Sequence, residues 1–203
     1  MSKIKETYEA LCKIPSDINE HLPTLYRYAL MCDCITEFGV RNGVSTWAFL
    51  AAKPISLDSY DFCRYRDITK IIEAADREDL SFAFHCDDVL DVDIEKTDLL
   101  FIDTFHHPLQ LRKEFIKHAD KVNKYIILHD TFTHRRINEQ LWPDERKALQ
   151  ERSKSEQEYD GFPNTGIWPE IVKFLYDHNE WSIKEIYSNN NGLTILEKDA
   201  PCK

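Results

Sequence analysis

Along this chain, short apolar runs alternate with stretches whose apolar residues recur at helical spacing. The runs at 34–38, 55–60, 81–85, 99–102 and 125–128 are rich in apolar or β-forming residues, and each stops at a polar or acidic residue. They predict five strands. Between them, 45–52, 67–76 and 109–119 carry a helical period, the last through Leu109, Leu111, Phe115 and Ile116. Strand, helix, strand in repetition predicts a parallel sheet with helices on both faces, whose ligands bind outside the carboxyl ends of the strands. There the runs end in Glu37, Asp61, Asp87, Asp103 and Asp130, so the acids gather on one rim.

The pattern changes beyond Asp130. Residues 134–165 are long, polar and charged, which predicts a lid or substrate-binding insertion with helix over 144–157. GIWPEIVKFLYDH then predicts a helix with Ile167, Ile171, Phe174 and Leu175 on one side. WSIKEIY and LTILEK alternate, and the NNNG between them predicts a β-hairpin. The expected architecture is one α/β domain over 1–203, doubly wound, with a mostly parallel seven-stranded sheet and an antiparallel closing hairpin.

Composition narrows the partners. A chain of 203 residues with 42% hydrophobic and 31% charged residues builds an ordinary globular core. Lys plus Arg number 26 against 36 for Asp plus Glu, a net charge of −10 with the basic residues scattered, so no nucleic acid and no anionic membrane surface is expected as a partner. The first residues lack an apolar signal core, and no run approaches the ~18 apolar residues of a membrane span, which predicts a cytoplasmic protein. The six cysteines, at 12, 32, 34, 63, 86 and 202, form no CxxC, so reduced thiols are expected.

The candidate chemistry begins at EFGVRNGVS. Gly39 and Gly43 follow Glu37 in a strand-to-helix turn, and Ser45 opens the next helix. Two positions without side chains let something approach the backbone. The fingerprint G-x-G-x-x-G is absent because Arg41 holds its middle position, and no G-K-[ST] follows, which argues against a pyrophosphate or a P-loop. A cofactor with an amino-acid head and a ribose suits these groups. Asp61, 18 residues after Gly43 at the end of the second run, stands where ribose hydroxyls are bound, with Asp58 as its competitor on the opposite face of the strand. Asp87 and Asp88 follow the third run, within range of an adenine amino group.

These residues resemble the class I S-adenosylmethionine-dependent methyltransferases. EFGVRNGVS is similar to their catechol O-methyltransferase style of glycine loop, while LLFIDTFHH and YIILHDT resemble the methyltransferase domain 24, macrocin O-methyltransferase and cephalosporin hydroxylase group. NNNGLTILE looks like the closing hairpin of that Rossmann-like fold, and the likeness runs from residue 17 to 198, weakest over the insertion. The resemblance implies that Glu37, Gly39, Gly43 and Ser45 line the methionine part of S-adenosylmethionine, that Asp61 takes the ribose, and that Asp87 or Asp88 lies near adenine. It also sets Asp103 and Asp130 on adjacent strands, ~4.8 Å apart, where metal-dependent relatives bind magnesium.

His129 stands where the macrocin-type enzymes carry another aspartate, which points to a softer divalent cation or to none. In the cation-free version, His106, ranked above His107, or His129 removes the proton of an acceptor hydroxyl. His21 is explained equally by a helix cap. His85, His118 and His178 read as ordinary, and Trp142 as an anchor of the insertion. The implied activity is O-methylation of a small-molecule acceptor, a sugar or glycan precursor. Two alternatives stand beside it: a hydroxylase with a redox metal at Asp103, His129 and Asp130, and a degenerate fold that binds only cofactor or a protein partner. A homo-oligomer formed through the hairpin edge is compatible with all three.

Overall fold

The computed structural model describes residues 2–140, 159 and 162–199. The five predicted strands are present as β1 (Cys34–Phe38), β2 (Ser56–Tyr60), β3 (Phe82–His85), β4 (Thr97–Ile102) and β5 (Val122–His129), and the hairpin as β6 (Trp181–Tyr187) and β7 (Leu193–Lys198). They form one sheet in the order β3-β2-β1-β4-β5-β7-β6. β1 to β5 pair in parallel, while β7 runs antiparallel to both β5 and β6. β4 and β5 start earlier than the apolar runs suggest. Asn123 and Lys124 break the apolar pattern of β5, yet Val122 still pairs with Thr97.

The helices are α1 (Lys3–Leu11), α2 (Leu22–Ala29), α3 (Val44–Ala51), α4 (Ile68–Arg77), α5 (Pro108–His118) and α6 (Trp168–Asp177). The first two are absent from the sequence reading. Ser2 starts α1 by accepting from Lys5 N at 3.2 Å, and Ile4 and Tyr8 are the two side chains it buries. α2 buries Leu22, Leu25, Tyr28 and Ala29.

Period-two alternation divides the core. Leu99 and Phe101 of β4 pack with α1 to α4, and Leu100 and Ile102 pack with α5 and α6. From β1 the chain moves outward to β2 and β3, then returns to β4 on the other side, so the order reverses between the carboxyl ends of β1 and β4. The turn between β6 and β7 braces this rim: Asn191 O accepts from Phe132 N and Thr133 N, each at 3.0 Å. His21 is spent here, its Nε2 lying 3.0 Å from Asn189 O and 3.1 Å from Asn190 O. Among the described residues no helix is long and apolar enough to cross a membrane.

Candidate active site at the strand tips

The glycines of the first loop serve the protein's own packing. Gly39 has φ +82°, and a Cβ there would fall 2.0 Å from Asp103 O. Gly43, φ +73°, precedes α3, and its Cβ would fall 2.1 Å from Ile71 Cδ1. The protein's own atoms thus come close to both positions, from the tip of β4 and from α4. Glu37 lies fully buried under the loop and accepts from Ser45 Oγ at 2.5 Å, Thr46 Oγ1 at 2.8 Å and Ser59 Oγ at 2.6 Å. Asp61 clamps the loop from the side: its Oδ2 accepts from Val40 N and Arg41 N, and its Oδ1 from Cys63 N, each at 2.9 Å. One lone pair of Oδ1 remains, so a ribose hydroxyl still fits this carboxylate.

The other acids divide. Asp58 accepts from or faces His85 Nε2 at 2.9 Å, on the other side of β2 from Asp61. Asp88 Oδ1 accepts from Leu90 N at 2.9 Å and shapes its own turn, while Asp87 is exposed. Arg41, at the middle position of the loop, ties it to the N-terminal segment through Asp17, 2.9 Å from Nη1.

Two glutamates behind the site give the protein a pH signature. Burial raises Glu37 to about 7 against the hydrogen bonds of three hydroxyls. It does the same to Glu114, again to about 7, although Thr104 Oγ1 at 2.6 Å and Gln110 Nε2 at 2.8 Å donate to it. Between the ordinary glutamate value and 7 the folded state holds protons that the unfolded chain has released. Each group therefore stabilises the fold at low pH and loses that contribution as pH rises through this window, by up to about 3 kcal/mol. Urea denaturation at pH 5.5 and 8 is expected to give lower stability at 8, and Glu37→Gln with Glu114→Gln should flatten the slope. An unchanged slope in the double variant would refute the assignment.

Asp103, His106, His129 and Asp130 converge at the tips of β4 and β5. His129 Nδ1 lies 3.1 Å from Asp103 Oδ1 and 3.3 Å from Asp130 Oδ1, and His106 Nε2 lies 3.4 Å from Asp103 Oδ1 and 3.7 Å from Asp130 Oδ2. Asp130 takes left-handed backbone, φ 56°. His106 Nε2, His129 Nε2 and Asp130 Oδ1 are buried without a hydrogen-bond partner. Burial opposes charge on both imidazoles, but the surrounding carboxylates outweigh it, raising His129 and pushing His106 up to about 10. Asp103 is half-buried, which pushes its carboxyl up, yet the two imidazoles hold it well below the usual carboxylate range. For Asp130 burial wins over the same imidazoles, and its value is raised. The carboxylates at these tips thus favour the charged form of both imidazoles.

The insertion reaches this cluster. Glu139 Oε2 accepts from His106 N at 2.8 Å and faces His106 Nδ1 at 2.9 Å, while Glu139 N donates to His106 O at 3.0 Å. His134 stacks on His106 with ring centroids 5.0 Å apart. His107 supports the insertion instead, its Nε2 lying 3.1 Å from Asn138 Nδ2. Asn138 also joins the two ends of the insertion: its N–H donates to Asn164 Oδ1 at 2.7 Å, and its Oδ1 accepts from Gly166 N at 2.8 Å. Sequence reasoning missed Glu139 and His134, which sit in an aperiodic polar stretch. The helix expected over 144–157 and Trp142 lie outside the described residues.

The donor chemistry fits a divalent cation. Asp103, His129 and Asp130 each offer a ligand atom within 4.8 Å of the others, as do His106, Asp130 and His134. Imidazole among the donors favours manganese, zinc or iron over magnesium, which prefers an all-oxygen shell.

No family model and no curated protein sequence matches the chain. Solved structures do. A methyltransferase from Geobacter sulfurreducens aligns with TM-score 0.59 at 13% identity, covering 98% of this chain and 90% of that one. The methyltransferase PaMTH1 of Podospora anserina, solved with S-adenosylhomocysteine, gives 0.57 at 12%, with 98% and 89% covered. The N-methyltransferase NodS of Bradyrhizobium japonicum WM9, in complex with the same molecule, gives 0.58 at 13%, with 98% of each chain covered. The chain has the Rossmann-like α/β fold of these methyltransferases, with its sheet order and closing hairpin.

Proposed function

We propose that this protein is an S-adenosylmethionine-dependent O-methyltransferase that methylates a hydroxyl of a small molecule, a sugar or glycan precursor. The observation that carries the reading is the convergence of Asp103, His106, His129 and Asp130 on adjacent strand tips, with Gly39 of the first loop packed directly against Asp103. Support comes from the fold, whose solved neighbours include two proteins bound to S-adenosylhomocysteine.

When bound, S-adenosylmethionine supplies a sulfonium methyl whose bond to sulfur breaks as its bond to the acceptor oxygen forms. Asp61 takes a ribose hydroxyl on its remaining lone pair, and Asp87 or Asp88 meets the adenine edge. Glu37 and Ser45 act from beneath, holding the loop in shape for the methionine head. At the acceptor end, His106 or His129 takes the hydroxyl proton on its Nε2, which is buried without a hydrogen-bond partner. Asp103 and Asp130 face both imidazoles and stabilise the charge that this proton brings.

The mixed donor set favours a second reading of the same tips, in which Asp103, His129 and Asp130 hold a divalent cation. Its charge would acidify the hydroxyl. Chelation separates the two: full activity after treatment and dialysis supports the cation-free version. Activity restored by manganese or zinc, and poorly by magnesium, supports the other.

Calorimetric titration with S-adenosylmethionine and S-adenosylhomocysteine tests the whole. Binding is expected in the wild type, and Asp61→Asn should weaken it by about 10-fold or more, the worth of a charged hydrogen bond. No binding to either molecule, or unchanged affinity in the variant, would overturn the cofactor assignment.

A further inference from the structure

We propose that Glu139, contributed by the insertion, is the positioning residue of His106, so that the site is complete only when the stem of the insertion is docked on the loop after β4. The proposal rests on the reading of His106 as a group that touches the acceptor.

The contact is a reciprocal clamp. Glu139 N donates to His106 O at 3.0 Å, and one carboxylate oxygen, Oε2, accepts from His106 N at 2.8 Å and faces Nδ1 at 2.9 Å. Backbone and ring of His106 are thus fixed by one residue distant in sequence. With Nδ1 engaged by a carboxylate that accepts only, the ring carries a proton there and its edge bearing Nε2 is turned toward Asp103 and Asp130, 3.4 and 3.7 Å away. That Nε2 is buried and makes no hydrogen bond, so its orientation is kept by Glu139 and by stacking on His134. A carboxylate behind an imidazole is the arrangement by which proteins fix ring direction and raise basicity.

Asn138, next in the chain, makes the docking rigid. It holds His107 on one side and the far end of the insertion, through Asn164 and Gly166, on the other. Whatever acceptor the insertion admits, the same stem sets the geometry of the group that meets it.

Three full-chain variants test this: Glu139→Gln, Glu139→Asp and Glu139→Ala. Each is followed by S-adenosylhomocysteine calorimetry, by steady-state kinetics and by the Nδ1–H proton resonance of His106, assigned by its loss in His106→Asn. Glu139→Gln and Glu139→Ala are expected to lower kcat by about 10- to 100-fold with cofactor affinity and the KM for S-adenosylmethionine unchanged, and Glu139→Asp to recover part of the loss. The resonance should stand downfield of the amide region in the wild type, shift in Glu139→Gln and vanish in Glu139→Ala. Wild-type kcat in Glu139→Ala, or an unmoved resonance in both variants, overturns the proposal. A wild type that turns over no acceptor defeats the functional reading, and the resonance then decides the positioning role by itself.

Discussion

Asp103→Asn is expected to reduce methyl transfer by about 10³-fold while leaving S-adenosylhomocysteine affinity within twofold of the wild type. The asparagine keeps the volume and the backbone contacts of the β4 tip, including the N–H of residue 103 on Phe38 O at 2.8 Å. What it removes is charge. His129 and His106 both face this carboxylate, at 3.1 and 3.4 Å, so it is the counter-charge that the two imidazoles share. Loss of the anion costs the site the counter-charge of its imidazoles in one reading and a cation ligand in the other, so the effect does not depend on which is correct. Asp103 is not among the groups bonded to Asp61, and cofactor binding should survive. Single-turnover kinetics with the calorimetric titration reads both quantities, and normal turnover in Asp103→Asn would sink the placement of the chemistry at these strand tips.

Gly39→Ala should strike the fold and the site together. The methyl would sit 2.0 Å from Asp103 O and 2.6 Å from Asp103 C, backbone atoms that cannot swing aside, at a φ of +82° that L side chains avoid. Left-handed strain of ~1–2 kcal/mol and overpacking of ~1–3 kcal/mol give roughly 2–5 kcal/mol of destabilisation. That is a large share of the ~5–15 kcal/mol that holds a domain together. Relief of the clash requires the loop at Gly39 or the backbone at Asp103 to shift, which disturbs the placement of Asp103 against His129. A clear fall in the urea midpoint is expected, with activity lost even where the protein remains folded. A variant as stable and as active as the wild type would mean that the loop and the β4 tip are not in contact.

Much of the architecture is legible because it is written in local periodicity. Leu99 to Ile102 alternate between two helical layers, and NNNG can form little but a tight turn between β6 and β7. α1 and α2 escaped notice because α1 commits only Ile4 and Tyr8 to the core, too few to mark a period. The rim acids were legible as positions but not as directions. Alternation sets Asp61 apart from Asp58 on β2, yet nothing local says that Asp61 turns back onto Val40 and Arg41, or that Glu37 is enclosed by three hydroxyls. Glu139 was invisible for a plainer reason. Its partner His106 lies far from it in the chain, and only the returning path of the insertion brings them together.

Asn138 gives that insertion a narrow neck, fastened to Asn164 and Gly166 where the chain leaves and re-enters the domain. A segment closed at its base can change length cheaply, since each doubling of a flexible loop costs only about 0.6 kcal/mol. Changes in the sequence beyond this clamp therefore cost the fold little, while the side chains at the tips of β4 and β5 keep their places beneath it.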